Sequence, residues 1–205
     1  MRDDSEETMQ SLIDKEATET ELWELWSGGE ATYTQALRIL EHDNCSSRIA
    51  VSIITNMPPF DSEEESGVSR NEYGVLFSEG LNYRFTSDEL EVISDFLNDL
   101  VNDCYDSISE GSFPSDLMDI LDSDLPGEVA RLEGHTVKSC RSLVKMVESF
   151  LSALEECPPD ERWAEPYWSV DIFNLAATVF TNSATDMDLV QELSKRVQEF
   201  QENSN

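Results

Sequence analysis

The residues with the clearest chemical potential in this sequence are carboxylates. Residues 85–130 contain thirteen Asp and Glu side chains and no Lys, Arg or His. Six of these acids recur at steps of three or four residues: Asp88, Glu91, Asp95, Asp99, Asp103 and Asp106. On an α-helix, which turns about 100° per residue, this spacing places all six within an arc of about 120°. The sequence therefore predicts a row of negative charge along one helix face.

Such a row can attract a cationic protein, and its spacing resembles that of a nucleic acid. One carboxylate would occur about every 5 Å along the helix axis, compared with one phosphate about every 3.4 Å along a nucleic-acid strand. No Lys alternates with the acids, although like charges at i,i+4 cost a helix about 0.2–0.5 kcal/mol per pair. Two interpretations stay open: a surface that binds a basic partner, and an ordinary solvated face of a very acidic protein.

The helix that carries this row is predicted over Asp88–Ile108. Thr86 is the expected N-cap and Glu89 its capping-box partner, while Phe85 and Leu90 form a hydrophobic staple. Apolar residues form a stripe opposite the acids: Ile93, Leu97, Leu100, Cys104 and Ile108. A short amphipathic turn follows and extends the acidic surface with Asp116, Asp119, Asp122 and Asp124.

Two segments favour β-structure. Tyr73–Phe77 and Leu81–Phe85 flank residues 78–80, which end in Gly as a three-residue hairpin turn prefers. The second arm alternates apolar and polar side chains, as in a half-buried strand. Arg48–Asn56 is rich in β-branched residues and favours a strand, although its apolar spacing also fits a helix.

Apolar periodicity predicts helices elsewhere, over 11–26, 31–42, 128–156, 160–180 and 185–202. The 160–180 tract is apolar nearly all round, which predicts a central buried helix. The predicted fold class is α+β and predominantly α-helical: one helical bundle-like, acidic globular domain over 1–205, with a small β-hairpin. Residues 58–71 read as an exposed loop, and the ends are expected to fray at 1–10 and 203–205.

Composition limits the functional classes. The chain has 205 residues, 39% of them hydrophobic, which is enough for a sizeable core, and a net charge of −31. That charge repels nucleic acids and anionic membranes, so direct binding to either is not expected. Four cysteines without a CxxC pair, and no secretory signal in Met1–Thr8, favour a reducing, cytoplasmic location.

Aromatic and basic clusters supply further candidate contacts. Trp163, Tyr167 and Trp168 stand at the entrance to the 160–180 tract. They are candidate partner anchors, because Trp and Tyr are enriched in binding hot spots; core packing is the alternative. One predicted face of 128–156 is basic: Arg131, His135, Lys138, Arg141 and Lys145. Through Arg131, Lys138, Arg141 and Lys145 it could pair with a second copy to form a homodimer, or it could hold an anion. A mixed solvated face is the alternative.

Sequence motifs for catalysis are missing. The chain has no Gly-rich phosphate loop, nucleophile elbow or HExxH motif. Asp119, Asp122 and Asp124 lack the twelve-residue calcium-loop pattern, so no metal and no cofactor is expected. The enzymatic alternative is a helical Mg²⁺- or Mn²⁺-dependent phosphate hydrolase, whose metal ligands would include Glu16, Glu19, Glu161 and Glu165.

These observations predict a non-enzymatic acidic interaction protein that binds the basic surface of a nucleic-acid-binding partner. Two versions fit: a nucleic-acid-mimicking inhibitor, as DNA-mimic anti-defence proteins of phages are, and an immunity protein that neutralises a nuclease. Adaptation to high salt is a different explanation of the acidity, because it also enriches a surface in Asp and Glu.

Overall fold

The computed structural model describes residues 17–28, 31–56, 70–106, 115–156, 165–182 and 184–203, with the backbone alone at 70–73, 115, 116, 165, 166 and 203. All regular secondary structure in these residues is helical. The predicted α+β class is therefore wrong, whereas a bundle-like helical arrangement is compatible with the structure. Among the described helices, none combines the length and apolar character needed to cross a bilayer.

Contacts within the chain group into two compact units, Met1–Phe85 and Thr86–Asn205. The prediction of one domain stays a prediction, because compact units need not fold independently. Residues 1–10 and 58–69, predicted as a frayed end and a loop, lie outside the described residues. The last two positions of that predicted loop, 70 and 71, instead begin a helix, and Asn203 ends one.

The first unit contains four described helices: α1 (Glu19–Ser27), α2 (Tyr33–Leu40), α3 (Ser47–Asn56) and α4 (Arg70–Gly80). Thr18 and Thr32 cap α1 and α2, each in a capping box with the residue three positions later. Helix α4 packs on α2 and α3. The core that results includes Leu22, Ile39, Ile49, Ile53, Ile54, Leu76 and Phe77, all fully buried.

The predicted hairpin does not form. Residues 73–80, its first arm and turn, lie within α4, and Leu81–Phe85 is non-helical and has no strand partner among the described residues. Leu76, Phe77 and Gly80 are buried together, which is the i, i+1, i+4 spacing of a helix face.

Gly80 allows α4 to pack closely against α3. A Cβ at this position would lie 2.8 Å from Ile54 Cγ1 and 2.9 Å from its Cδ1. Gly80, which the sequence suggested was a turn residue, is therefore required by the contact between two helices. Local sequence patterns do not reveal such a tertiary contact. In the second arm, the alternating Leu81 and Phe85 bury their side chains from an irregular segment.

The strand predicted over Arg48–Asn56 is also wrong, because α3 occupies it. Its buried residues, Ile49, Ala50, Val51, Ile53 and Ile54, follow helical spacing. The weak intrinsic preference of β-branched residues for strands is thus overridden by packing of the apolar face.

The second unit contains six described helices: α5 (Ser87–Asp106), α6 (Ser115–Asp122), α7 (Leu125–Arg131), α8 (Val137–Glu156), α9 (Glu165–Thr181) and α10 (Met187–Asn203). Helix α8 is the central one, since it packs against α5, α7, α9 and α10. The prediction that the 160–180 tract is buried all round is wrong, because Tyr167 and Val170 on α9 are 72% and 55% exposed.

The helix predicted over 128–156 is divided into α7 and α8. Gly134 between them has φ +102°, a conformation that residues with a Cβ rarely adopt. Thr136 then caps α8, because its Oγ1 accepts the Ser139 N–H at 3.2 Å and Ser139 Oγ accepts the Thr136 N–H at 2.9 Å. The glycine and the reciprocal cap end one helix and begin the next.

Candidate partner-binding surface

Helix α5 confirms the predicted acidic helix. Glu89 Oε2 accepts the Thr86 N–H at 2.8 Å, and Thr86 Oγ1 accepts the Glu89 N–H at 3.3 Å, which is the predicted capping box. The apolar stripe is buried at Ile93, Leu97 and Leu100. On the opposite face, four members of the row are exposed: Asp88, Asp99, Asp103 and Asp106.

Helices α5 and α8 run parallel and in register. Polar contacts join residue i of α5 to residue i+47 of α8 at several levels: Lys138 Nζ to Glu91 Oε2 (3.0 Å), Ser142 Oγ to Asp95 Oδ1 (2.6 Å) and Ser149 Oγ to Asn102 Oδ1 (2.8 Å). Just before α8, the Ser87 hydroxyl donates to the Gly134 carbonyl at the same offset. A constant offset requires that both helices advance in the same direction.

Two acids of the row are therefore neutralised by the chain itself. Lys138 Nζ lies 3.0 Å from Glu91 and 3.4 Å from Asp95. The Thr136 hydroxyl also donates to Glu91 at 2.7 Å. The hydrogen bonds from Thr136 and Lys138 lower the pKa of the Glu91 carboxyl below its usual value. Glu91 and Asp95 thus belong to a contact between helices.

The other four acids of the row have no basic partner in the part of the chain that the structure describes. Within the described part of the chain, no basic side chain forms a salt bridge with Asp88, Asp99, Asp103 or Asp106. The last three follow each other at steps of four and three residues, over about 10 Å of helix axis. We call Asp99, Asp103 and Asp106 the α5 acidic segment.

The second predicted acidic segment, at α6, behaves differently at each position. The side chain of Asp116 lies outside the described residues, and Asp119 is half-buried and has an interaction partner. Asp124 is exposed and binds Arg131, with Oδ2 3.0 Å from Nη1 and Oδ1 3.4 Å from Nη2. Asp122, also exposed, has no basic partner among the described residues.

Asp122 faces a groove between α6, α7 and α9, which we call the α9 groove. It has a volume of about 450 Å³, and its polar lining comprises Asp122, Asp124, Arg131, Asp171 and Asn174. Partial burial raises the pKa of the Asp122 carboxyl, and the charges of Asp171 and Asp119 act in the same direction. A hydrogen bond from Trp168 opposes them. The groove is thus an anionic site with little internal compensation.

The two candidate tryptophans differ in what the structure shows. Trp168 is half-buried on α9, and a hydrogen bond from its side chain lowers the pKa of the Asp122 carboxyl. Trp168 therefore supports the groove from within the unit. Trp163 lies outside the described residues.

The predicted basic face of 128–156 is not one surface. His135 is buried, with Nε2 2.8 Å from the Val129 carbonyl oxygen and Nδ1 2.9 Å from Ser139 Oγ. Arg131 and Lys138 bind carboxylates of the same chain. Arg141 and Lys145 are exposed and form no salt bridge with the described residues. The homodimer through this face stays a prediction.

Among the described residues, no group of three or more His, Cys, Asp and Glu side chains is placed to hold a metal ion. Of the carboxylates proposed for a hydrolase, Glu19 is exposed on α1. The side chains of Glu16, Glu161 and Glu165 lie outside the described residues.

Tyr167, predicted as a candidate anchor, is exposed on α9. Sequence reasoning missed Asp171 and Asn174, which line the groove and follow Tyr167 by four and seven residues. A signal was present, because these three residues follow the i, i+4, i+7 spacing of one helix face. The expectation that α9 was buried all round concealed it.

No protein-family model, curated protein or solved structure matches the chain at a significant level.

Proposed function

We propose that this protein is a non-enzymatic interaction protein whose exposed carboxylates bind the basic surface of a nucleic-acid-binding partner. The observation that carries the proposal is the α5 acidic segment. Its carboxylates are exposed, lie on one face of α5 and have no salt bridge within the described residues.

The contrast between the two halves of the row supports this function. The chain neutralises Glu91 and Asp95 with Lys138, yet it leaves the α5 acidic segment uncompensated. Repulsion between like charges at i,i+4 lowers helix stability by about 0.2–0.5 kcal/mol per pair. A cationic partner that docks there removes this repulsion.

The net charge supplies the long-range part of recognition. At −31, the protein attracts cationic surfaces from beyond contact distance and repels nucleic acids. Basic grooves that bind phosphate backbones are the natural complement of such a surface, because they present several Lys and Arg side chains along one direction. Either an inhibitor that mimics a nucleic acid or an immunity protein against a nuclease would work in this way.

Competition with duplex DNA tests the proposal. Proteins retained from a lysate by the immobilised full chain are challenged with duplex DNA at about 0.01 M ionic strength, where the Debye length is about 30 Å, and at about 0.15 M, where it is about 8 Å. We expect DNA to displace the retained proteins, and retention to fall steeply as salt rises. Retained proteins that DNA does not displace would contradict the proposed partner class.

A matched pair of variants separates this surface from net charge alone. Asp99→Asn/Asp103→Asn removes two charges from the α5 acidic segment, and Asp188→Asn/Glu192→Gln removes two from exposed positions four residues apart on α10. We expect the first variant to weaken binding of a DNA-displaceable protein at least about tenfold, or about 1.4 kcal/mol. The control should change affinity little. Equal weakening by both would indicate a general charge effect.

A further inference from the structure

Helix α9 exposes apolar side chains beside the α9 groove. Tyr167 is 72% exposed and Val170 is 55% exposed. Asp171 lies one turn after Tyr167, and Asn174 one turn after Val170, so these four side chains are neighbours on a single helix face. The face therefore combines an aromatic ring, an aliphatic side chain, a carboxylate and an amide.

The charges of the groove do not balance. Its lining includes three carboxylates, Asp122, Asp124 and Asp171, and one guanidinium, Arg131. Arg131 is held by Asp124 through contacts of 3.0 Å and 3.4 Å. Asp122 and Asp171 are thus left without a cation among the described residues, on opposite helices of the groove.

We infer that the α9 groove binds an arginine side chain of the partner, and that Tyr167 and Val170 bind an apolar side chain next to it. The inference rests on the proposed function and assigns it a specific contact. The occupant is a segment of a basic protein that presents Arg beside an apolar residue.

Arginine fits this site better than lysine for two reasons. Its planar guanidinium carries five N–H donors, so it can bind two carboxylates at once, whereas an ammonium is a compact point charge. Tyr167, which is exposed on α9 one helical turn before Asp171, offers a ring face on which a guanidinium can stack.

Tyr167 and Val170 would add apolar contacts to the charge interaction in the groove. Exposed Tyr is enriched in binding hot spots, and apolar contacts around a charged pair exclude water from it. By contrast, no large apolar side chain between Asp99 and Asp106 is exposed on α5. The α5 acidic segment therefore supplies electrostatic attraction but no apolar contact that would fix a partner in place. The two surfaces therefore have different roles: the segment accelerates encounter, and the groove fixes the position of the partner.

Three synthetic helical peptides of equal charge serve as probes. The first contains Arg with Leu beside it, the second replaces Leu with Ala, and the third replaces Arg with Lys. Fluorescence anisotropy measures their affinity for the full chain at low ionic strength, and amide chemical shifts of Asp171 and Asn174 report occupation of the groove. We expect the Arg/Leu peptide to bind most tightly and to shift both amides.

Two double variants test the two parts of the site. Asp122→Asn/Asp171→Asn should weaken the Arg/Leu peptide about tenfold, or about 1.4 kcal/mol, and reduce its preference over the Lys peptide. Tyr167→Ser/Val170→Ser should weaken the Arg/Leu peptide more than the Arg/Ala peptide, because the Arg/Ala peptide loses only the stacking of its Arg on Tyr167. The control, Asp188→Asn/Glu192→Gln, removes two charges from exposed positions on α10 and should have little effect.

The other outcomes separate this inference from the proposed function. If Asp99→Asn/Asp103→Asn weakens the peptides and Asp122→Asn/Asp171→Asn does not, the groove assignment is wrong while the acidic surface still binds basic partners. Equal weakening by every pair, the control included, would also overturn it. If the full chain binds none of the peptides at low ionic strength, the proposed function and the groove assignment both fail.

Discussion

Lys138 on α8 binds Glu91 on α5, with Nζ 3.0 Å from Oε2. The same ammonium lies 3.4 Å from Asp95, so one cation serves two acids that are four residues apart on the helix. This contact divides the acidic row into a part that holds α5 to α8 and a part that stays available. Which acids of the row are neutralised therefore depends on a residue outside it.

Replacing Lys138 should destabilise the second unit in a salt-dependent way. Lys138→Gln leaves Glu91 and Asp95 to repel each other, so we expect a lower unfolding temperature at low ionic strength and a smaller loss at high salt. Thermal unfolding at several salt concentrations measures this. Lys145→Gln is the control, because Lys145 is exposed on the same helix and forms no salt bridge with the described residues.

The Lys138 contact also predicts a pH dependence. The folded-state pKa of Glu91 is lowered from 4.5, so its contribution to stability is present above that value and is lost as pH falls through the folded-state pKa. The difference between wild type and Lys138→Gln should therefore disappear in strong acid. A difference that persists there would contradict the electrostatic explanation.

Two fully buried serines, Ser94 and Ser139, should change the free energy of unfolding in opposite directions when each is replaced by alanine. Ser94 on α5 has no hydrogen-bond partner for its hydroxyl among the described residues, whereas Ser139 Oγ accepts the Thr136 N–H at 2.9 Å. We expect Ser94→Ala to raise the free energy of unfolding by about 1 kcal/mol, because an orphan polar group is removed. Ser139→Ala should lower it by about 1–2 kcal/mol, because a cap is lost. Chemical denaturation of both variants measures the difference, and a loss of stability in Ser94→Ala would be the contrary result.

His135 should make stability fall below about pH 6.5. Burial lowers its pKa in the folded state, and the hydrogen bond to the Val129 carbonyl only partly opposes this. Between the two pKa values the unfolded chain binds a proton that the folded chain does not, so stability rises with pH in that interval. NMR titration of the imidazole should give a midpoint below 6.5. A midpoint above that value would refute the prediction.

A pair of glycines in α4 tests the replacement of the hairpin by a helix. A Cβ added at Gly74 would have no neighbouring atom within 4 Å, whereas a Cβ at Gly80 would meet Ile54 at 2.8 Å. We expect Gly74→Ala to raise the free energy of unfolding by about 0.5–1 kcal/mol, because Ala favours helix. Gly80→Ala should lower it by about 1–3 kcal/mol through overpacking, and chemical denaturation measures both changes. If Gly80→Ala were as stable as the wild type, the close packing of α4 against Ile54 would be contradicted.

Local sequence patterns were sufficient for α5 but not for its surroundings. Thr86, Glu89 and the apolar stripe specify the start and the faces of the helix, because caps and periodicity act within a few residues. The partner of Glu91 could not be read in this way, since Lys138 is 47 residues away. The parallel arrangement of α5 and α8 decides which acids are neutralised.

The errors at 48–56 and 73–85 have a common physical origin. Short apolar runs satisfy both helix and strand periodicity, and the contacts that decide between them are tertiary. Gly80 illustrates the point, because the residue fits a turn by type and a helix contact by packing against Ile54. At α9, the large number of apolar residues predicted a helix buried on all sides. The polar face that carries Asp171 was therefore not predicted.

The parallel register of α5 and α8 aligns the dipoles of these two helices. Both helices end at the same side, where Tyr105 donates to Glu156 at 2.7 Å, and neither has a basic residue in its last turn. Each C-terminus carries a partial charge of about −0.5, which here adds to the full charges of Asp103, Asp106 and Glu156. A molecule that carries its positive charge on one side would therefore experience a torque as well as an attraction near this end of the two helices.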